Sequence, residues 1–314
     1  MTNIAFLGLG HMGLPMAINL HKAGHTIAGF DVVPAAIDAA RAAGLTVAES
    51  GVAALPGAEV VITMFPSGKH VIDAYSGPDG LLANAAPNTL FIDCSTISVA
   101  EAQEAHNLAT AAGHRSLDAP VSGGVVGAEN GTLAFMIGGA DEVVADARAF
   151  FEIMGARVVH CGGDGLGQAA KVCNNMILAI SQIAVSEAFV LGERLGLTHN
   201  ALYEVAAHAS GQCWALTTNC PVPGPVPTSP ANREYQPGFA GALMAKDLGL
   251  ALAAIEATGV DAQMGRHAQQ MYAEFAAGDG AHQDFSGIIN TIRASSGACA
   301  NASGATARLR GRHD

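Results

Sequence analysis

The stretch IAFLGLGHMG, residues 4–13, decides how the first half of this 314-residue chain folds. An apolar run ends in Gly8, and Gly10 and Gly13 follow at the spacing G-x-G-x-x-G before a helical pattern begins. The first glycine permits a tight turn, the second lets backbone approach a pyrophosphate, and the third allows a helix to pack closely on a sheet. The predicted cofactor-binding residues of this loop are Gly8, Leu9, Gly10, His11, Met12 and Gly13.

Asp31 ends the next predicted strand and follows the last glycine by about 20 residues, the usual interval for a ribose-binding carboxylate. A carboxylate there repels a 2′-phosphate, and no arginine follows in DVVPAA (31–36) to compensate. The pattern therefore predicts NAD rather than NADP as the cofactor. A solvated carboxylate at a strand end is the alternative.

Short β-like runs alternate with alanine-rich helical runs over the first half of the chain. The predicted strands are 4–8, 26–31, 60–65, 90–94, 115–119, 134–138 and 157–161, and the predicted helices are 14–23, 34–43 and 101–112. Such alternation is typical of βαβ units. It predicts an α/β Rossmann domain with a parallel sheet over residues 1–164.

The pattern changes after Gly167, where no convincing strand follows and helical stretches dominate. These are 168–195, 201–209, 240–258 and 265–276. We therefore predict an all-α domain over 165–314, entered by one long interdomain helix. Six prolines within 220–238 predict a stiff, extended loop, and the small polar residues 295–314 predict a frayed tail.

Composition excludes several classes of protein. Half of the residues are hydrophobic, 13% are charged, and the formal net charge is −12, so neither nucleic acid nor an anionic membrane is an expected partner. The six cysteines and twelve histidines lack metal-binding spacing, which predicts reduced thiols and no metal site. Without a signal-peptide pattern or an uninterrupted apolar span, we expect a cytoplasmic protein. The apolar composition favours a homo-oligomer.

Lys171 is an unusual residue in GLGQAAKVCNN (165–175), because the chain holds only four lysines against eleven arginines. Asn175 follows at i+4, so both side chains project from one helix face. A lysine in an apolar cleft loses its proton more readily than in water and can then accept the proton of a substrate hydroxyl, which arginine cannot do. The alternative is a surface lysine whose stem covers apolar neighbours.

Ser122, Gly123 and Gly124, in DAPVSGG (118–124), supply one hydroxyl and two backbone amides in a loop of small residues. Such a group suits a carboxylate or another anion, although the same tripeptide often forms a simple turn.

Pro66 and Thr96 follow two predicted strands and are expected at the cofactor wall, because open parallel sheets bind ligands at the carboxyl ends of their strands. His70 lies just beyond and is a cofactor contact or a surface histidine. Lys246 and Asp247 form either a site where the cation faces cofactor or substrate, or an exposed ion pair at a helix end.

These motifs occur together with YSG (75–77), CW (213–214), PVPG (221–224), SPANREYQPGF (229–239) and LMAKDLGLA (243–251). In this order they resemble the β-hydroxyacid dehydrogenase family, and within it the 3-hydroxyisobutyrate dehydrogenase branch. The resemblance covers nearly the whole chain. It implies a Rossmann domain, a long interdomain helix, a helical C-terminal domain, a homodimer or homotetramer, and oxidation of a small anionic 3-hydroxy acid.

The resemblance also implies a role for each matching residue. It assigns catalysis to Lys171, substrate binding to Ser122, Gly123, Gly124, Asn175, Trp214, Phe239 and Asp247, and cofactor binding to Phe65, Pro66, His70, Thr96 and Lys246. Phe65 and His70 depart from the leucine and asparagine expected at those two positions.

The expected reaction is NAD-dependent oxidation of 3-hydroxyisobutyrate to methylmalonate semialdehyde, a step of valine degradation. Three alternatives stay open: a dehydrogenase of L-serine or another β-hydroxy acid, an NADPH-dependent semialdehyde or glyoxylate reductase, and a non-catalytic NAD-binding protein. The presence of Lys171 and Asn175 argues against the last.

Overall fold

The computed structural model describes residues 1–296, so most of the predicted tail lies outside the described residues. The chain forms two compact units, Met1–Cys173 and Asn174–Asp314, here called unit 1 and unit 2. The predicted domain limit at 164/165 coincides with the start of a 30-residue helix, whereas the two compact units divide inside that helix.

Unit 1 contains one sheet, which confirms the predicted α/β class. Its strands are β1 (Asn3–Leu7), β2 (Thr26–Phe30), β3 (Thr46–Val47), β4 (Val60–Thr63), β5 (Leu90–Asp93), β6 (Arg115–Asp118), β7 (Val121–Ser122), β8 (Leu133–Gly138) and β9 (Gly155–Gly162). Their order is β3-β2-β1-β4-β5-β6-β8-β7, and β9 pairs with β8.

The sheet is parallel from β3 to β6 and again between β8 and β9, but β8 runs antiparallel to β6 and to β7. The prediction of a parallel sheet is therefore correct for most of the sheet and wrong at β8. Two residues separate β6 from β7, and the short helix Gly124–Glu129 lies between β7 and β8. The chain thus returns along β8 in the opposite direction, because an antiparallel pair needs no long crossover back to the same end of the sheet.

The helices of unit 1 are α1 (Gly13–Lys22), α2 (Pro34–Ala42), α3 (Gly68–Tyr75), α4 (Leu81–Asn84), α5 (Val99–Ala111), α6 (Gly124–Glu129) and α7 (Asp141–Met154). The long α8 (Leu166–Leu195) continues into unit 2, which holds α9 (His199–Ala207), α10 (Trp214–Thr217), α11 (Gly241–Thr258), α12 (Gln263–Ala276) and a helical stretch at 288–296. The sequence pattern did not predict α3, α4, α6, α7 or α10.

The central strands β1, β4 and β5 are buried on both faces, as helix-covered parallel strands must be. Successive side chains of a strand point to opposite faces. Accordingly, Ile4 and Phe6 belong to one buried cluster, packed with α1 and α7, whereas Ala5 and Leu7 belong to another, packed with α3 and α5. The two clusters hold the sheet between two helical layers.

Unit 2 is helical, as predicted, and its described residues add only an isolated β-bridge between Ala240 and Asp284. The proline-rich segment 220–238 is mostly irregular. Its predicted extended course is wrong at Pro230–Arg233, which forms one turn of 3₁₀-helix with the proline at its start. Proline is tolerated there because the first residues of a helix need no N–H partner.

By length and composition α8 is apolar enough to cross a membrane, although the core helix of a water-soluble protein passes the same test. Polar side chains are nevertheless buried along it, namely Lys171, Asn175, Gln182 and Ser186. Buried polar groups of this kind need partners within the protein. The expected absence of a membrane partner stays a prediction.

Asp93, the last residue of β5, is a buried carboxylate with an uneven environment. Its Oδ1 accepts hydrogen bonds from the Thr63 hydroxyl at 2.7 Å and from the Ser95 hydroxyl at 2.6 Å. Among the described residues no donor reaches Oδ2. Asp93 also lines a cavity of about 10 Å³ together with Tyr75 and His106. Burial raises the pKa of Asp93 to about 6, although its hydrogen bonds act in the opposite direction.

We expect Asp93→Asn to stabilise the protein increasingly as the pH rises. In the wild type the carboxyl of the unfolded chain ionises at a lower pH than the buried carboxyl of the folded protein. The free energy of unfolding therefore falls as the pH rises from the unfolded-state pKa through the folded-state pKa of about 6. The amide keeps one acceptor for Thr63 and Ser95 and cannot ionise. The gain of the variant over wild type should grow between pH 4 and pH 7 by roughly 3 kcal/mol at most.

Urea unfolding of both proteins across this pH range measures the gain, and Asp79→Asn, at an exposed carboxylate, controls for the change in net charge. If the difference in the free energy of unfolding between Asp93→Asn and the wild type is the same at every pH, burial does not raise the pKa of Asp93.

Candidate functional site

The carboxyl ends of five neighbouring strands line up at one edge of the sheet in unit 1. In the register of the ladder, Leu7 pairs with Phe30 and Thr63, Thr63 pairs with Asp93, and Asp93 pairs with Asp118. The loops that follow these residues therefore start side by side. This edge carries the glycine loop and the other predicted cofactor contacts, where open parallel sheets bind ligands.

The glycine loop has the shape required for a dinucleotide. A Cβ on Gly8, whose φ is +93°, would lie 2.3 Å from the Met64 carbonyl oxygen, and one on Gly13 would lie 1.8 Å from the Gly8 carbonyl oxygen. Both glycines are thus required by packing within the protein. Gly10 is different, because no heavy atom of the described residues, apart from Gly10 itself and its two chain neighbours, lies within 4 Å of its Cβ position. Its lack of a side chain leaves room for a pyrophosphate beside the start of α1.

Asp31 is tied to this loop through its carboxylate. Oδ2 accepts a hydrogen bond from the Leu9 amide at 2.6 Å, and Oδ1 accepts one from the Val33 amide at 2.8 Å. The next side chain, Val32, is 82% exposed and apolar, so the segment after the strand offers no cation for a 2′-phosphate. The alternative of a solvated carboxylate at a strand end is therefore wrong, because the carboxylate of Asp31 is hydrogen-bonded to the glycine loop.

The remaining predicted cofactor residues of unit 1 follow neighbouring strands. Phe65 donates its backbone N–H to the Ser95 hydroxyl at 2.7 Å, which links the loops after β4 and β5. Pro66 is exposed and Thr96 is half-buried at the same edge. His70 lies exposed in the first turn of α3, where its Nδ1 is 2.7 Å from the Ser67 hydroxyl. Their contacts with a cofactor stay predictions.

Asp118 anchors the start of α8, and its role was missed by the sequence analysis. The Gly165 amide donates to Oδ1 and the Gln168 amide donates to Oδ2, both at 2.8 Å. His106 Nε2 also lies 3.1 Å from Oδ1. Gly167 allows this close approach, because a Cβ there would lie 2.8 Å from the Asp118 carbonyl oxygen.

Gln168 fixes the same helix to the loop after β5. Its side-chain Nε2 donates to the Ser95 carbonyl at 2.7 Å, and its Oε1 accepts from the Ile97 amide at 3.2 Å. Lys171 lies three residues further along α8 and is only 7% exposed. The alternative of a surface lysine is therefore wrong, and its buried position suits proton transfer.

Ser122 ends β7, Gly123 caps the next helix, and Gly124 is the first residue of α6. Ser122 is half-buried, and Gly123 and Gly124 have φ values of +135° and +64°, a backbone region that favours glycine. The tripeptide thus joins a strand to a helix through backbone conformations that glycine adopts readily, and the amides of a first helical turn lack intrahelical partners. Both features are compatible with the predicted anion-binding role.

In unit 2 the structure joins two of the predicted substrate residues. Asn175 donates from its side-chain amide to Oδ2 of Asp247 at 2.6 Å, and Lys246 Nζ lies 3.8 Å from Oδ1. Asn175 and Asp247 are buried, at 3% and 5% exposure. The alternative of an exposed pair at a helix end is wrong, because both residues lie in the second turn of α11. The Asn174 side-chain amide donates to Oδ1 of Asn175 at 3.0 Å.

The other predicted substrate residues of unit 2 are aromatic. Trp214 begins the short α10 and is 52% exposed, whereas Phe239 is half-buried and packs edge-on against Phe285 with ring centroids 5.8 Å apart. The described residues include no group of three or more His, Cys, Asp or Glu side chains that could hold a metal ion.

Comparison with known proteins identifies the two halves of the chain separately. Residues 3–163 match the model of the NAD binding domain of 6-phosphogluconate dehydrogenase. Residues 165–292 match the model described as NAD-binding of NADP-dependent 3-hydroxyisobutyrate dehydrogenase.

Similar proteins match over nearly their full length. The probable 3-hydroxyisobutyrate dehydrogenase of Mycobacterium tuberculosis is 56% identical, with 94% of this chain and 99% of that protein covered. An NAD-dependent L-serine dehydrogenase of Pseudomonas aeruginosa is 48% identical, with 91% and 96% covered. The solved structure of the M. tuberculosis 3-hydroxyisobutyrate dehydrogenase with L-serine, at 56% identity, superposes with a TM-score of 0.90 over 93% of this chain and 99% of that one.

We expect Asp31→Asn to weaken binding of NAD about tenfold, because an amide accepts hydrogen bonds from ribose hydroxyls and from the Leu9 amide less strongly than a carboxylate. Binding of NADP should not weaken, since the repulsion of a 2′-phosphate is also removed.

Calorimetric titration of both dinucleotides into the wild type and the variant tests this. Asp38→Asn, at an exposed carboxylate of α2, is the matched control. An equal loss of affinity for NAD and NADP would show that Asp31 only shapes the loop.

Proposed function

Because the chain belongs to the 3-hydroxyisobutyrate dehydrogenase family, we propose that it oxidises 3-hydroxyisobutyrate to methylmalonate semialdehyde with NAD, a step of valine degradation. The chain is an NAD(P)-binding dehydrogenase, as its family and its glycine loop show. The proposed oxidation rests on one observation: Lys171 is buried near the start of α8. Asp118 holds this helix, through two hydrogen bonds, at the sheet edge where the glycine loop lies.

The proposed chemistry transfers one proton and one hydride. NAD, when bound, would supply the hydride acceptor for the carbon that carries the hydroxyl. Lys171 Nζ takes the proton of that hydroxyl, and the C–O single bond becomes the carbonyl of the semialdehyde. In the reverse direction Lys171 returns the proton to the forming alcohol.

Two groups of residues are proposed to recognise the substrate. The Ser122 hydroxyl and the amides of Gly123 and Gly124 are proposed to hold the carboxylate, because donors in a glycine turn suit an anion. Asn175 is proposed to orient the hydroxyl group. Its side chain is held by Asp247 at 2.6 Å, which fixes its rotamer.

L-Serine is the second candidate substrate, and two relatives support it. One is named an L-serine dehydrogenase, and another was solved with L-serine. L-Serine carries an ammonium group where 3-hydroxyisobutyrate carries a methyl group. Burying an ammonium costs several kcal/mol unless an acceptor pairs with it. In unit 2 the carboxylate of Asp247 is already engaged by Asn175 and Lys246. We therefore rank L-serine below 3-hydroxyisobutyrate.

The preference for NAD over NADP is part of the proposal and rests on Asp31 and on the uncharged Val32. A homodimer or homotetramer is likewise proposed, because large apolar side chains of unit 2, among them Leu191, Leu195 and Val205, are more than half exposed. A cytoplasmic location stays a prediction.

We expect Lys171→Ala to lower kcat by about 100-fold or more, since general acid–base groups contribute 10²- to 10⁴-fold. The affinity for NAD should change little, because the glycine loop and Asp31 remain. Lys22→Ala, an exposed lysine at the end of α1, is the control and should leave kcat unchanged. Near-full turnover in a folded Lys171→Ala variant would remove this residue from the mechanism.

A substrate panel tests the identity of the substrate. We expect the highest kcat/KM with 3-hydroxyisobutyrate, followed by L-serine, and at least tenfold lower values for each with NADP, which corresponds to about 1.4 kcal/mol. Initial rates of NADH or NADPH formation, measured at one pH, provide the comparison. A higher kcat/KM with L-serine would replace the proposed substrate by the second candidate.

A further inference from the structure

Asp284 is a buried carboxylate of unit 2, 1% exposed, that has no role in the chemistry proposed above. Oδ1 accepts hydrogen bonds from the Asn219 side-chain amide at 3.1 Å and from the Ser286 amide and hydroxyl at 3.1 and 2.7 Å. Oδ2 accepts hydrogen bonds from the backbone amides of Gly238 and Phe239, both at 3.1 Å. One side chain thus accepts five hydrogen bonds, and two of them come from the segment that carries Phe239.

Backbone pairing strengthens this connection. The Asp284 amide donates to the Tyr235 carbonyl at 2.7 Å, and the Phe285 amide donates to the Phe239 carbonyl at 2.9 Å. The ring of Phe285 also packs against that of Phe239. The segment 235–239 is therefore held at its backbone and at its aromatic ring by residues 284–285.

The segment is also strained at its start. Glu234 and Tyr235 have φ values of +53° and +58°, a region that residues other than glycine rarely adopt. Strained backbone persists only where surrounding contacts fix it, and such positions occur frequently at functional sites. Here the contacts with Asp284 are part of what holds the turn.

The helix that follows does not depend on Asp284 in the same way. Gly241, the first residue of α11, donates its amide to the Gln283 carbonyl at 2.8 Å, and a Cβ on Gly241 would lie 2.3 Å from the Gly280 carbonyl oxygen. Tight packing thus fixes the start of α11 independently. Loss of the Asp284 carboxylate should release residues 235–239 while α11 keeps Lys246 and Asp247 in place.

We infer that Asp284 is a positioning residue for substrate binding, which holds the backbone of Gly238 and Phe239 so that the Phe239 ring meets the hydroxy acid. This inference rests on the proposed function, because the substrate contact of Phe239 is part of that proposal. Asp284 itself touches neither substrate nor cofactor in this role. Its effect is specific to the affinity for the hydroxy acid.

A carboxylate suits this role because all five of its hydrogen-bond partners are donors. An asparagine could keep its oxygen toward Gly238 and Phe239. Its amide would then face Asn219 and the Ser286 hydroxyl, which can both rotate, and the Ser286 backbone N–H, which cannot and loses its acceptor. The neutral oxygen would still accept both backbone hydrogen bonds, but more weakly. Alanine would leave the two N–H groups without this acceptor.

The experiment compares Asp284→Ala, Asp284→Asn and Ser286→Ala with the wild type. We expect KM for 3-hydroxyisobutyrate to rise about tenfold or more in Asp284→Ala and about threefold in Asp284→Asn, as expected for loss and for weakening of charge-assisted hydrogen bonds. KM for NAD and kcat should stay within about twofold of wild type. The lost interaction stabilises the bound hydroxy acid equally in the ground state and in the transition state, so only KM for the hydroxy acid rises. Ser286→Ala removes one bond to Oδ1 and leaves Oδ2 untouched, so it should lower Tm without raising KM.

Hydrogen exchange of the peptide covering residues 235–241 supplies a readout that needs no substrate. The wild-type amides of Gly238 and Phe239 should be protected, and this protection should be lost in Asp284→Ala and kept in Ser286→Ala. If Asp284→Ala does not fold, Asp284→Asn and the wild-type exchange still decide the question.

The inference is overturned if these amides exchange freely in the wild type. It is also overturned if Asp284→Asn and any folded Asp284→Ala keep the wild-type KM, or if Ser286→Ala raises KM equally. If the wild type oxidises none of the hydroxy acids, the proposed function fails. The exchange experiment then tests the inference by itself, which is overturned by free exchange of the Gly238 and Phe239 amides in the wild type or by their full protection in Asp284→Ala.

Discussion

The carboxylate of Asp118 is the contact on which the arrangement of unit 1 depends. It joins the end of a central strand to the first turn of α8, using Oδ1 for Gly165 and Oδ2 for Gln168. The positive end of the helix dipole favours a negative group at this place. Because Lys171 lies one turn further along the helix, its height above the sheet edge is set by these two hydrogen bonds. A 30-residue helix without this anchor could slide or tilt and carry the lysine with it.

The same physical device recurs at three loops that carry predicted site residues. Asp31 accepts the Leu9 amide of the glycine loop, Asp118 accepts two amides at the start of α8, and Asp284 accepts the Phe239 amide in unit 2. A carboxylate is acceptor-only and can satisfy several N–H groups at once. The chain has a net charge of −12. Some of its acidic side chains thus bind backbone amides within the protein, whereas others lie on its surface.

The sequence was sufficient to predict features that depend on local pattern. Seven of the nine strands, the long helix and the glycine loop follow from hydrophobic period and glycine spacing and are present in the structure, whereas the two-residue strands β3 and β7 were not predicted. The helix Asp141–Met154 was missed although its apolar residues repeat at helical spacing. The direction of β8 was also missed, because strand direction depends on the connection between strands rather than on the strand's own residues. The burial of Lys171 was left open, because a helix pattern alone does not say which protein surface covers it.

The anchoring roles of Asp118 and Asp284 were not predicted, for a related reason. Asp118 lies 47 residues from Gly165, and Asp284 lies 45 residues from Phe239, so neither belongs to a short motif with its partner. Their partners are backbone amides, which every residue except proline possesses, so no particular residue type marks the other end of the bond. The sequence offers one indication of such a role, which is an aspartate at the end of a predicted strand or in a loop between apolar segments. Catalysis requires reacting groups held close to their working geometry, since misplacement by about 1 Å costs on the order of 100-fold in rate. Residues that hold backbone in place therefore belong to the functional description of this chain as much as the lysine they position.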